Sequence, residues 1–254
     1  MSARTQKIAV AGASGRVGHH VIDVLTERGH EAVPISRTYG VNVITGEGLD
    51  QALVGVQCII DTATGPSPEQ QPATEFFLAA AKNLQRAGER AGVQRIVVVS
   101  IINTDRLKGG YSIAKVAHEQ ATLAGAVPAR VLRAAQFHEF VAQLVQWGTQ
   151  GDVAYVPEMR THLVAARTVA EMLVDLAGDP GSVPGPTLEV AGPREESLVE
   201  MATLLAGRQG GTPRIEAVSD PVDGDANESG VLLPGPGAIL GGPTFEQWLD
   251  GTGG

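Results

Sequence analysis

The chain has 254 residues, a formal net charge of −9 and a single cysteine. That length suffices for one large α/β domain with a sizeable core and a small appended lobe, without a second full domain. The acidic balance is spread along the chain with no basic stripe, and no apolar run approaches a membrane span, so neither a nucleic-acid nor a membrane partner is expected.

In chain order, residues 7–11 read as a short buried strand. Gly12-Ala-Ser-Gly15-Arg-Val-Gly18 follows at once, and apolar positions Val17, Val21, Ile22, Val24 and Leu25 then recur at helical spacing until Gly29. A turn between strand and helix needs glycine where the backbone bends, where it approaches a pyrophosphate and where the helix packs on the sheet. The helix N-terminus then offers unpaired N–H groups to the phosphates. Gly12, Ser14, Gly15, Arg16, Val17 and Gly18 are therefore the expected dinucleotide contacts. The lead-in to this core strand leaves no room for a signal peptide, and one cysteine excludes an internal disulfide, so a reducing cytoplasm is expected. Cys58, inside an apolar run, reads as a packed core thiol.

Strands are expected at residues 32–36, 41–44, 58–62, 95–100 and 130–133, alternating with helices at 74–91 and 112–123. The unbroken Ile96-Val-Val-Val99 run suits a strand buried on both faces. Such alternation gives a Rossmann-like doubly wound parallel sheet, with ligands at the carboxyl ends of its strands. From about residue 137 the regularity weakens: helices at 137–147, 168–177 and 197–207, strands at 153–156 and 188–190, and loops at 179–186 and 219–243. Residues 1–254 are thus expected to form one NAD(P)-binding domain, with about 137–254 contributing a small C-terminal substrate-binding lobe.

Two features bear on chemistry. The end of the second strand reads Ile35-Ser-Arg-Thr38. It lacks the carboxylate that NAD sites use, and Arg37 beside Ser36 suits the extra phosphate of NADP(H), with Arg16 a possible second charge; NADP(H) is therefore preferred over NAD(H). Tyr111 and Lys115 stand one helical turn apart, a spacing that puts an ammonium where it would lower the tyrosine pKa for proton transfer to a carbonyl oxygen. Ser100 ends the preceding strand at the ligand-binding edge. His19 and His20, pointing apart on the first helix, read as solvent-facing and not as a metal pair, and no metal site is expected. Asp61 reads as capping its strand, with the backbone of Ala63, Thr64 and Gly65 passing near the adenosine half of a cofactor.

Ala11-Gly-Ala-Ser-Gly-Arg-Val-Gly18, Asn83-Leu84 with Ala91-Gly-Val-Gln-Arg-Ile-Val-Val-Val-Ser100, and Tyr111-Ser-Ile-Ala-Lys115 resemble the atypical short-chain dehydrogenase/reductases of the NmrA-like group. The resemblance covers about residues 5 to 200. It implies a nicotinamide cofactor, a lysine (Lys115) that also holds the nicotinamide ribose, and a serine (Ser100) that orients the substrate oxygen. Arg133-Ala-Ala-Gln-Phe-His-Glu139 is similar to the segment that lines the substrate cleft in such proteins, which makes Gln136, Phe137, His138 and Phe140 expected substrate contacts; a half-buried helix histidine is the equal reading of His138. The expected function is reduction of a small apolar or aromatic carbonyl or quinone by a monomer or homodimer. A catalytically silent NADP-binding regulator and an isomerase or epimerase are the alternatives.

Overall fold

In Lys7–Ala11 (β1), Ile8 to Ala11 are fully buried. The glycine turn leads into Gly18–Glu27 (α1), whose Val21, Val24 and Leu25 face the interior. Glu31–Ile35 (β2) then pairs parallel with β1, Lys7 opposite Glu31 and Ala11 opposite Ile35. Pro34 is tolerated there because β2 is an edge strand. The strand expected at 41–44 does not form. Asn42 Oδ1 accepts from the N–H of Ile44, and Asn83 Nδ2 donates to the carbonyls of Val43 and Ile44, so side chains satisfy a backbone that would otherwise need a ladder. A short helix, Leu49–Ala52 (α2), leads instead to Cys58–Asp61 (β3), which pairs parallel with β1 on its other side.

Gln70–Ala91 (α3) starts four residues earlier than the pattern suggests, because Pro72 falls in the first turn, where no N–H is required. It buries Phe77, Ala80, Ala81, Leu84 and Ala87 and ends on Gly92 in the left-handed region. Arg95–Ile101 (β4) and Gly110–Leu123 (α4) follow. Buried Gln85 ties α3 to α4 by donating to the carbonyls of Thr122 and Val127 and accepting from the Val127 N–H.

The remaining elements are Ala129–Ala134 (β5), His138–Gly148 (α5), Thr149–Gln150 (β6), Val153–Pro157 (β7), Arg160–Thr161 (β8), Ala166–Gly178 (α6), Thr187–Ala191 (β9), Glu196–Ser197 (β10), Leu198–Arg208 (α7), Arg214–Val218 (β11), Gly224–Glu228 (α8), Ile239–Leu240 (β12) and Phe245–Thr252 (α9). Seven strands form the Rossmann-like parallel sheet, in the order β2-β1-β3-β4-β5-β9-β12. The order reverses between β1 and β3, and a reversal of this kind is where the segments leaving two neighbouring strands open together at the sheet's carboxyl edge.

The computed structural model describes residues 5–178, 185–211 and 213–252. By internal contacts the chain divides into two compact units. The first takes in the described parts of Met1–Ser100, Gly110–Leu132 and Val169–Leu188; the second takes in those of Ile101–Gly109, Arg133–Thr168 and Glu189–Gly254. The second unit has its own core, in which Val141, Val145, Val156, Leu198, Ala202 and Phe245 pack around the three-stranded sheet β11-β7-β6. The loop expected at 219–243 contains α8 and the two-residue strand β12, which pairs with Val190 and Ala191 of β9. Of the loop expected at 179–186, residues 179–184 lie outside the described residues. Among the described residues no helix is long and apolar enough to cross a membrane.

Candidate active site

The turn after β1 is built for close backbone approach. Gly12 has φ +78°, and a Cβ there would lie 2.8 Å from the backbone of Ala63, the residue two beyond β3. A Cβ on Gly18 would come within 2.1 Å of the Gly12 carbonyl oxygen. The Gly12 N–H donates to the Ile35 carbonyl at 2.9 Å and the Gly15 N–H to the Gly12 carbonyl at 2.8 Å, which fixes the loop against the end of β2. Ser14 and Arg16 are exposed, Val17 is buried, and Gly18 opens α1, which has no acidic side chain in its first turn. A tight glycine turn that presents a helix N-terminus free of carboxylates fits a pyrophosphate. At the end of β2 the Ser36 hydroxyl is buried without a protein partner, and Arg37 is exposed at the start of a short 3-10 turn.

In the same unit, β3 ends in buried Asp61, whose Oδ1 accepts from the Ala63 N–H. The chain continues through half-buried Gly65, where a Cβ would meet the Phe76 ring at 3.0 Å. Ser100, 3% exposed, ends with a hydroxyl that has no protein partner. Tyr111, in the first turn of α4, places its hydroxyl 3.1 Å from Thr64 Oγ1.

Tyr111 and Lys115 take different hydrogen-bond partners. Lys115 is 5% exposed, and its Nζ donates to the Val99 carbonyl at 2.8 Å and lies 3.2 Å from His118 Nδ1. Burial raises the tyrosine pKa, offset in part by the Thr64 hydrogen bond, so the phenol stays protonated at neutral pH and is not poised toward ionisation. Burial holds the lysine down to about 8 against the pull of Asp61 and Glu119. His118, 1% exposed, was not found from sequence, and Asp61 serves as more than a strand cap. The available signal was spacing alone: His118 follows Lys115 by three residues on one helix face.

In the second unit, Gln136 accepts from the Thr161 hydroxyl at 2.5 Å, Phe137 precedes α5, and half-buried Phe140 meets Trp147 edge-on at 6.2 Å. His138 is a core residue and not a cleft-lining one. It is fully buried, bonds the Pro243 carbonyl through Nε2 at 3.1 Å, and packs on Phe245 and Trp248. Cys58 is likewise a core thiol, pushed up to about 12 by burial. Among the described residues no group of three or more His, Cys, Asp or Glu side chains is placed to hold a metal.

No protein-family model matches the chain. A 3-beta-hydroxysteroid dehydrogenase of Mycolicibacterium neoaurum is 31% identical over 112 residues, a match that takes in 36% of this chain and spans 31% of that protein's length. Among solved structures, WbmH of Bordetella bronchiseptica in complex with NAD+ superposes with a TM-score of 0.74 at 16% identity, covering 95% of both chains. MoeE5 in complex with UDP-glucose and NAD gives 0.71 at 18% identity, covering 98% of this chain and 100% of the other. A dTDP-4-dehydrorhamnose reductase from Bacillus anthracis in complex with NADP gives 0.68 at 15% identity, covering 87% and 86%. This likeness is one of fold. The chain has the Rossmann-like α/β architecture of these nicotinamide-binding proteins.

Proposed function

We propose that the chain is an NADP(H)-dependent oxidoreductase of the short-chain dehydrogenase/reductase type that reduces a small apolar or aromatic carbonyl or quinone. The observation that carries the reading is the gathering in one compact unit of a glycine turn with no room for a side chain at Gly12 or Gly18, a buried unpartnered Ser100 hydroxyl and a Tyr111 hydroxyl bonded to Thr64. The glycine spacing and the Tyr111-Ser-Ile-Ala-Lys115 motif support an NmrA-like placement, and the partial match to a hydroxysteroid dehydrogenase supports the wider type.

In this reading the turn holds the pyrophosphate, Ser36 and Arg37 hold the adenosine phosphate, and Ala63 to Gly65 flank the adenosine half. When bound, the nicotinamide supplies the hydride. Ser100 orients the substrate oxygen, Tyr111 donates its proton as that oxygen gains charge, and Lys115 holds the ribose. Gln136, Phe137 and Phe140 are the proposed substrate contacts. A phenol of raised pKa is a weaker acid but a secure proton carrier at neutral pH, and Thr64 supplies the hydroxyl through which it exchanges with solvent.

A second reading, transient oxidation and re-reduction in an epimerase, is favoured by the fold neighbours solved with NAD together with UDP-glucose or UDP-glucuronic acid. The deciding experiment is a screen of aromatic ketones, quinones and nucleotide sugars followed by NADPH absorbance and product analysis, with Tyr111→Phe as control. Carbonyl reduction lowered about a hundredfold or more in Tyr111→Phe, with NADPH affinity intact, is the expected result. Sugar interconversion with NAD+ or NADP+ supplied and no net change in the cofactor would select the epimerase, and tight NADPH binding with no turnover of any substrate would point to a silent regulator.

A further inference from the structure

One buried cluster in the first unit joins Lys115 and Asp61 to His118, a residue with no role in the reading from sequence. His118 lies one turn beyond Lys115 on α4, and Asp61 closes β3. Phe77 of α3 stacks on the imidazole at 4.5 Å between ring centres and 17° between planes. Nε2 of the ring is 3.1 Å from Asp61 Oδ2, and Nδ1 is 3.2 Å from Lys115 Nζ. An ammonium only donates, and an ionised carboxylate only accepts. The ring between them must therefore donate from Nε2 and accept at Nδ1, so its two neighbours select one neutral tautomer. A protonated imidazole would turn an N–H toward the ammonium.

The charges around the lysine come from few sides. Asp61 faces it from β3 and Glu119 from α4 itself. From α3 the neutral Phe77 ring lies 4.6 Å from Nζ, and from β4 the Val99 carbonyl accepts from it. Two of the three ammonium hydrogens are thus taken by Val99 and His118.

We propose that Asp61 and His118 are positioning residues for Lys115, holding its ammonium through the Nδ1 lone pair beside the Val99 carbonyl so that the one remaining N–H is offered to a ribose hydroxyl from a fixed point. This rests on the nicotinamide-binding role proposed above. The gain is preorganisation: the entropy of a four-carbon stem is lost on folding and not on binding.

The test uses the full chain with NADPH, NADH and four variants. His118→Asn keeps an acceptor near Nδ1, His118→Leu removes it, Asp61→Asn removes the charge that fixes the tautomer, and Lys115→Met removes the ammonium. Nitrogen-15 spectra of the histidine-labelled parent should show His118 neutral and protonated at Nε2 at neutral pH. Lys115→Met should raise its titration midpoint, because the lysine charge helps to hold it down. His118→Leu should weaken NADPH binding about tenfold, the size of one lost charged hydrogen bond, and shift the alkaline limb of binding to lower pH. His118→Asn should recover most of both.

A His118→Leu variant that binds NADPH as tightly as the parent, with the same alkaline limb and a cooperative melt, would overturn the proposal; so would an Nδ1-protonated ring in the parent. If His118→Leu does not fold, the tautomer and the His118→Asn and Asp61→Asn affinities decide. A parent that binds neither NADPH nor NADH defeats the functional reading itself, and this inference with it, which no result on the variants alone can do.

Discussion

The hydroxyl of Tyr111 lies 3.1 Å from the Thr64 hydroxyl, which joins the first turn of α4 to the segment leaving β3. Burial raises the phenol pKa by more than the Thr64 hydrogen bond lowers it, so Tyr111 should ionise above the ordinary tyrosine value of 10.0. Tyrosinate absorbance across an alkaline titration, with Tyr111→Phe to identify its phase, checks this. Thr64→Val should move that phase to still higher pH. A Tyr111 phase below 10.0 would mean that the lysine acts on it.

His138 gives the second unit a pH dependence whose sign is fixed by burial. Its pKa is lowered from 6.5 to about 4, so the native state holds it neutral while the unfolded chain takes up a proton as pH falls below 6.5. Stability should be unaffected by this group above that pH, decline between pH 6.5 and 4 by about 3 kcal/mol, and level off below. The Nδ1 atom is buried without a partner, so a proton placed there gains no hydrogen bond. His138→Gln, which keeps a donor for the Pro243 carbonyl, should lower stability overall but flatten that part of the curve in urea unfolding across pH. An unchanged slope would show that another group titrates there.

The glycines of the turn are not equivalent. Gly12→Ala and Gly18→Ala force a Cβ into backbone atoms, at Gly12 with an added left-handed penalty, and should cost about 2–4 kcal/mol while abolishing cofactor binding. Gly15 has an ordinary φ and its nearest neighbour at 3.1 Å, so Gly15→Ala should cost about 1 kcal/mol or less. Denaturant unfolding beside calorimetric titration with NADPH separates the two effects.

Arg37 is exposed at the end of β2, beside a buried serine hydroxyl that lacks a partner. If it meets the adenosine phosphate, the parent should bind NADPH more tightly than NADH, and Arg37→Ala should lose about ten- to a hundredfold in NADPH affinity with NADH unaffected. Equal affinities in the parent would remove NADP(H) preference from the functional reading.

Local pattern alone determined the central strands of the sheet and the phosphate turn. β1 is apolar without a break from Ile8 to Ala11, Gly12 and Gly18 follow where strand must become helix, and β4 is β-branched from Ile96 to Val99, so each element is specified by residues adjacent in the chain. Where the expectation failed, the deciding partner was distant. Asn83, forty residues away in sequence, satisfies the backbone of Val43 with its own side chain and removes the need for a strand there. β11 and β12 are short segments given strand pairing by β7 and β9. The site divides in the same way. Spacing on α4 puts Tyr111 and Lys115 on one face, but which neighbour each takes is settled by burial: Thr64 and Asp61, both from the end of β3, draw the phenol one way and, through His118, the ammonium another. A buried charge must find its counter-charge or hydrogen-bond partner wherever the fold supplies one, and that choice is made by tertiary structure because the partners are far apart in the chain.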